Sequence, residues 1–417
     1  MNEPIFIARQ DTLEQEILPA HWLAQYKLFG EESYTFQDKG IWKKLCMSRA
    51  AANDRDIHAE ALEEMLTTFS AEHTGKWMLL VYGTNAAALE GLATMAAIAA
   101  NGTAMGAIAD NALLMHAIAN SETAMQRIAN SQTAMQRVAN NTTAMDAIGR
   151  SRIARDAVQA SPYYNSYIKE NDMAIAKLVV GFANLESAGY SGMAGVAADS
   201  TAMTAVAASS VARNAISASP YYDEKIKEND MAIAKLVVGF ANLASANYSS
   251  MAGVVADATA MTAVAASSTA MTAVAASGVA LKAIAQAYKK TANMLQFLKA
   301  VNASDTLVKR IYSTLTGATG LFGATQLGSQ DGVESANSWA TTSAAPNAFL
   351  ACACGYYSSG GSSVNVTYNG TVIAQNKTGA KQPGSVTSTN VNAITMAPST
   401  FTENGDGWLA VQKFTVK

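Results

Sequence analysis

A ten-residue repeat runs through the middle of the chain, and it excludes most folds before composition is considered. Written in tens from Gly91, the sequence reads GLATMAAIAA, NGTAMGAIAD, NALLMHAIAN, SETAMQRIAN, SQTAMQRVAN, NTTAMDAIGR and SRIARDAVQA. A large residue recurs at Met95, Met105, Met115, Met125, Met135, Met145 and Arg155. A branched one follows three positions later at Ile98, Ile108, Ile118, Ile128, Val138, Ile148 and Val158. In a continuous α-helix ten residues turn through about 1000°, so this stripe would slip back by about 80° per repeat and wrap around the helix. No partner helix could follow such a seam.

A short helix in each unit, broken at its polar end, removes the conflict. Ser121, Ser131, Asn141 and Ser151 are expected N-caps, Thr-Ala-Met-x-x-Ile-Ala supplies two turns, and the next Asn-Ser or Asn-Asn ends the helix. Met and Ile or Val then share one face. The expected structural core of the array is therefore Met105, Ile108, Met115, Ile118, Met125, Ile128, Met135, Val138, Met145 and Ile148. Helices of two turns are not stable alone, so the array must stack on itself or on sister chains.

A second repeat encloses the first. Ser161 to Ala218 aligns without gaps to Ser219 to Ala276, with 45 identities in 58 positions. A tandem duplication is tolerated where each unit contacts mainly its neighbours, and poorly in a closed core. Each copy opens on Ser-Pro-Tyr-Tyr and continues into a more apolar helix capped by Asn171-Asp172 or Asn229-Asp230. From Leu281 to about Leu315 the chain stays helical and turns basic, with Lys282, Lys289, Lys290, Lys299, Lys309 and Arg310 against Asp305.

After Gly317 the composition changes to Gly, Ser, Thr, Asn and Val. Ser363–Tyr368 and Thr371–Gln375 flank Asn369-Gly370, the signature of a hairpin closed by a type I′ turn, and Trp408–Val416 reads as a closing strand. The expected fold is multidomain and mainly α: an array of short helices in ten-residue repeats, solenoid-like or fibrous, with a C-terminal antiparallel β-sandwich. The expected divisions are a globular module at 1–83, the decapeptide shaft at 84–160, the duplicated units at 161–290, a helical segment and linker at 291–330 and the sandwich at 331–417. Gly317–Gly328 reads as a hinge, so the last 80 or so residues are expected to fold alone. The first module holds Trp22, Trp42 and Trp77, and Asp54–Phe69 has the spacing of an amphipathic helix.

Charge and residue types narrow the function. With 29 basic against 32 acidic residues the chain lacks the electrostatic footprint of a nucleic-acid binder. The apolar run Met173–Leu185 contains Lys177 and falls short of the ~20 residues a bilayer requires, so membrane insertion is not expected, and the N-terminus carries no readable signal peptide. Cys46, Cys352 and Cys354 make neither a disulfide framework nor a four-ligand zinc site. His21, His58, His73 and His116 have no ligand spacing, and His116 occupies a variable slot of the decapeptide. The serines sit at repeat boundaries as caps, and Asn404-Gly-Asp-Gly407 is read as a turn and not a calcium loop. No catalytic, cofactor or metal residue is assigned, and no enzyme activity is expected.

The phrase Ser-Thr-Ala-Met-Thr-Ala-Val-Ala-Ala-Ser, read from Ser200 and again from Ser268, resembles decapeptide arrays of bacteriophage tail-fibre and other virion appendage proteins. The resemblance covers residues from about 91 to 290. It implies a virion protein made in the host cytoplasm, with a docking module, a repeat shaft and a β-rich tip that mediates attachment. It implies other virion proteins and a host-surface receptor as partners, and a homo-oligomer, with a trimer favoured. The alternative is a bacterial surface or secreted repeat adhesin.

Overall fold

The structure is a computed structural model that describes residues 91–330 continuously, single positions between 59 and 89, and 338–341, 347–356, 362–379, 385–396, 399–405 and 407–417. Trp22, Trp42, Trp77 and most of the expected helix Asp54–Phe69 lie outside the described residues; Ala59, Leu62 and Glu63 within that stretch are helical. The described chain is mainly helical, with antiparallel sheets at its C-terminal end.

The decapeptides form one short helix each: α1 (Met95–Ala100), α2 (Gly102–Ala109), α3 (Ala112–Ala119), α4 (Glu122–Ala129), α5 (Gln132–Ala139), α6 (Thr142–Arg150) and α7 (Arg152–Ala160). Two residues make four of the corners (110–111, 120–121, 130–131 and 140–141), and Asn101 and Ser151 each make one alone; where there are two, they divide the labour. Asn120, Asn130 and Asn140 turn their side-chain amides back onto the carbonyls of His116, Gln126 and Gln136, closing one helix. The next residue opens the following one: Ser121, Ser131, Asn141 and Ser151 accept from the amides of Ala124, Ala134, Ala144 and Ala154.

Helix α4 packs on α1, α5 on α2, α6 on α3 and α7 on α4. Each helix thus meets its third predecessor, and the caps stitch them together. While its oxygen accepts from its own helix, the Ser131 hydroxyl donates to Ala99 O at 2.6 Å, Ser151 to Ala119 O at 2.6 Å and Ser161 to Ala129 O at 2.5 Å. Asn171 reaches Ala139 O at 3.1 Å in the same way. One hydroxyl therefore satisfies an orphan N–H of one helix and an orphan C=O of another 32 residues back. Ser121 has Glu63 in place of such a carbonyl: that carboxylate accepts from Ser121 Oγ at 2.5 Å, Thr123 N at 3.2 Å and Thr123 Oγ1 at 2.6 Å.

Because the stitch is buried at Ser151, Ser151→Ala orphans both an N–H and a carbonyl and is expected to cost about 2–3 kcal/mol. Ser151→Thr, which keeps the hydroxyl, is expected to cost less. Urea unfolding of the two variants checks this; equal midpoints would remove the stitch as a source of stability.

After a π-helical turn at Tyr164–Lys169 comes α8 (Asp172–Phe182), which packs on α6. The crossing is close enough that a β-carbon on Gly181 would stand 2.3 Å from the Gly149 carbonyl oxygen. The helix ends on Asn184 at φ 57°, with Leu185 N bonded to Val180 O at 3.1 Å and Asn184 N to Gly181 O at 2.9 Å, a Schellman closure. The described residues fall into two compact units, one up to Val196 with Asn214–Pro220 and one of Ala197–Arg213 with Tyr221–Lys417. The division falls within α9 (Met193–Ala198), inside the duplicated segment.

After α10 (Ser200–Ala208) comes α11 (Ser210–Ala218), which the division also crosses. The second unit continues with a π-helical turn at Tyr222–Ile226, and then α12 (Asp230–Phe240), α13 (Met251–Ala256), α14 (Ala258–Ala266), α15 (Ser268–Ala276), α16 (Gly278–Gln286), α17 (Thr291–Asn302) and α18 (Asp305–Gly317). Third-neighbour packing persists: α12 with α15, α13 with α16, α14 with α17, α15 with α18. Helices α14 and α15 meet at a bend of 102°, and among the described residues no single helix is long and apolar enough to cross a membrane.

The strands are β1 (Phe322–Gln330), β2 (Ser338–Thr341), β3 (Ala348–Tyr356), β4 (Ser362–Tyr368), β5 (Thr371–Thr378), β6 (Ala393–Met396), β7 (Ser399–Gly405) and β8 (Gly407–Val416). They form two four-stranded antiparallel sheets in the orders β1-β8-β3-β6 and β2-β7-β4-β5. The β4–β5 hairpin turns on Asn369 at φ 46° and Gly370 at φ 78°, as the Asn-Gly pair requires.

The hinge expected at Gly317–Gly328 is corrected, while the helical segment expected before it is present as α17 and α18. The glycines and threonines of that stretch read as a hinge, yet Phe322–Gln330 is a strand paired along β8, with a bulge between Gln326 and Gly328. The apolar core also runs on from the helices to the sheets. Phe349 on β3 lies 6.5 Å from the rings of both Phe297 on α17 and Phe322 on β1, and Tyr312 on α18 meets Phe414 edge-on at 5.7 Å. Asn302 closes the edge of β6: it donates to Ile394 O at 2.8 Å and accepts from Ile394 N at 3.1 Å.

Candidate functional site

The array is the first place to look for function, and its interior is filled. Met105, Ile108, Met115, Ile118, Met125, Ile128, Met135, Val138, Met145 and Ile148 are all fully buried. Of the two ways expected for such short helices to be covered, by the array itself or by sister chains, these side chains are buried by helices of their own chain.

What the sequence reading missed is a buried cation in each duplicated copy. Lys177 on α8 is 1 % exposed and donates to Asp146 Oδ1 at 2.5 Å and to Ser187 O at 3.1 Å. Asp146 fills the decapeptide slot that also holds His116, so the slot is more than surface variation. In the second copy Lys235, 1 % exposed, has Thr204 in that place and donates to Thr204 Oγ1 at 2.8 Å and to Ser245 O at 3.2 Å. Without a carboxylate beside it, burial pulls the Lys235 ammonium below the usual lysine range. The signal was available in spacing: Asp146 to Lys177 and Thr204 to Lys235 are both 31 residues, one circuit of the third-neighbour packing. The Met slot is also adapted, since Arg155 donates to Gly149 O at 2.7 Å and lies 5.9 Å from the Phe182 ring centroid.

Thr204→Asp is expected to stabilise the protein by about 1–2 kcal/mol at pH 7, by giving the buried ammonium a charged acceptor. The sign in pH follows from linkage. A lysine with a lowered folded pKa leaves the unfolded chain binding more protons, so stability rises as pH climbs from the folded value toward about 10.4. In Thr204→Asp that rise is expected to flatten. An unchanged pH profile of the thermal midpoint would contradict this account of Lys235.

Elsewhere the titratable groups are structural. Cys352 and Cys354 are buried on β3, and burial pushes the Cys352 thiol up, keeping it protonated. His116 Nε2 is 3.1 Å from Asn120 Nδ2. Among the described residues no three His, Cys, Asp or Glu side chains group as metal ligands. A cleft of about 600 Å3 opens between α18 and the turn after Ile226. Its Glu228 is spent on the first amides of α16, at 3.0 Å from Gly278 N and 3.1 Å from Val279 N, and its Lys227 is paired with Asp223 at 2.9 Å. Burial first, and then the Asp223 carboxylate, push the nearby Tyr222 phenol up to about 12. A second cleft, of about 460 Å3, lies beside β5.

The sequence matches no protein-family model and no curated protein.

Proposed function

We propose that this protein is a non-enzymatic structural component of a bacteriophage virion, a tail fibre or similar appendage that mediates attachment. In this reading the short helices of the ten-residue repeats form a solenoid-like shaft and the two four-stranded sheets a β-sandwich tip, with the N-terminal module docking on other virion proteins. The observation that carries the reading is the double use of the cap residues Ser131, Ser151, Ser161 and Asn171. A helix whose N-cap also binds its third predecessor is a unit that can be added or duplicated without redesigning a core, which suits a spacer. For the tip, the support is the burial of Val364, Val366 and Tyr368 on β4, with Ser363, Asn365 and Thr367 between them half-buried.

Since Met and Ile are buried within one chain, the case for a homo-oligomer, with a trimer favoured, rests on avidity: linked weak tips gain through effective concentration. Mass spectrometry of purified particles is expected to find the chain at fixed copy number, and native mass measurement to give three copies. Its absence from the particles, with recovery from the bacterial surface instead, would overturn the reading in favour of a surface adhesin.

A further inference from the structure

The cleft beside β5 is lined by side chains from that strand, from the first turns of α18 and from the loop at 389–392. A regular strand sends alternate side chains to opposite faces. Strand β5 does not: Ile373 and Ala374 are both buried, and Gln375 and Asn376 are both exposed. The cause is two register slips against β4, between Val366 and Thr367 and between Val364 and Val366, with Asn376 at φ 52° and its N–H held by Asn365 Oδ1 at 2.6 Å. Two neighbouring amides therefore enter one cleft, an arrangement of the kind bulges provide at binding sites.

The far wall is fixed by its own bonds. Asn392 accepts from Cys354 N at 2.7 Å and donates to Thr378 O at 2.7 Å, while Asn390 accepts from Thr387 N at 2.6 Å and donates to Ser385 O at 2.7 Å. Lys377 and Asp305 neutralise each other at 2.7 Å. Among the described residues, the Gln375 and Asn376 side-chain amides and the Lys309 ammonium have no hydrogen-bond partner. They are what the cleft offers a ligand: two donor-acceptor amides, one cation, and a lining whose only large apolar member is Val391.

An apolar ligand would find nothing to bury against, and a polyanion would meet a single free cation. We propose that this cleft binds a saccharide of one or two rings, with the Gln375 and Asn376 amides bridging vicinal hydroxyls and Lys309 meeting a ring or carboxylate oxygen. Amides suit hydroxyls because each offers both a donor and an acceptor, and the volume lies within the range of small-ligand sites. The inference rests on the attachment reading for where the sugar comes from, and on the cleft alone for its chemistry.

The test is retention of the full-length protein on a printed array of defined oligosaccharides built from neutral hexoses, N-acetylhexosamines or uronates. The wild type is expected to be retained on a subset. Gln375→Ala with Asn376→Gly, which keeps the left-handed backbone at 376, is expected to lose at least tenfold in retention without a change in thermal midpoint. Lys309→Ala, on an exposed helix face, is expected to weaken uronate retention more than hexose retention. No retention by the wild type, or equal retention by the double variant, would overturn the proposal. Particle mass spectrometry separates the two readings. Particles that contain the chain beside an array that does not retain it leave the virion reading standing and the cleft refuted. Retention that depends on Gln375 and Asn376, from a chain absent from particles, does the reverse.

Discussion

A fragment from Asp331 to Lys417 is expected to show no cooperative thermal transition, while one from Ala197 to Lys417 unfolds as a unit. The shorter fragment contains the strands that the sequence reading took for an independent sandwich. It lacks β1, whose residues Phe322 to Gln330 pair with β8 from Val416 to Leu409. It also lacks Phe297, Phe322 and Tyr312, which pack on Phe349 and Phe414. Losing one large buried aromatic side chain costs about 3–5 kcal/mol, and three such losses match the 5–15 kcal/mol that stabilises a whole domain. Without Asn302 the buried Ile394 N–H and C=O lose their partner as well. The longer fragment keeps all of these contacts, since they lie within the second compact unit. A sigmoidal melt with native near-ultraviolet dichroism from the short fragment would show that the helical cover is dispensable.

The difference between reading and structure here is one of range. Helix length was legible in the decapeptide because Ser and Asn mark both ends of each unit and because a ten-residue stripe cannot stay on one face of a continuous helix. The third-neighbour packing was not, since it depends on the angle at a corner of one or two residues, 102° across Ser267 between α14 and α15, which no propensity encodes. The hairpin turn was legible because Asn369-Gly370 specifies positive φ locally. Strand β1 was misread because glycine and threonine in FGATQLGSQ suit a hinge until β8 is there to pair with them. The Lys177–Asp146 pair and the side-by-side amides of Gln375 and Asn376 share that character. Each is made by a partner far along the chain, so the residue types were visible and their arrangement was not.

The largest expected effect of a single substitution is at Met125. Met125→Asp is expected to lower the thermal midpoint of the unit by roughly 10 °C or more, from a cost of several kcal/mol at ~2–4 °C per kcal/mol. Gln126→Asp, on the exposed side of the same helix, is expected to stay within about 2 °C, losing only the exposed Gln126–Glu122 hydrogen bond at 3.2 Å. The contrast arises because Met125 is fully buried on α4, which packs on α1, α3 and α7. The nearby backbone N–H groups are already used: Ala124 N is bonded to Ser121 Oγ, and Met125 N to Ser121 O. A carboxylate there has no donor, so it folds protonated with a raised pKa. By linkage its cost is small below the unfolded value of about 3.9 and grows as pH rises from there through the folded value. Met125→Asp should therefore recover much of its lost stability near pH 4. Because contacts in such an array reach only near neighbours, hydrogen-exchange protection is expected to fall in α1, α3, α4 and α7 and to persist in the sheets. Equal midpoints for the two variants, or protection lost evenly along the whole chain, would contradict a core assembled turn by turn from Met and Ile.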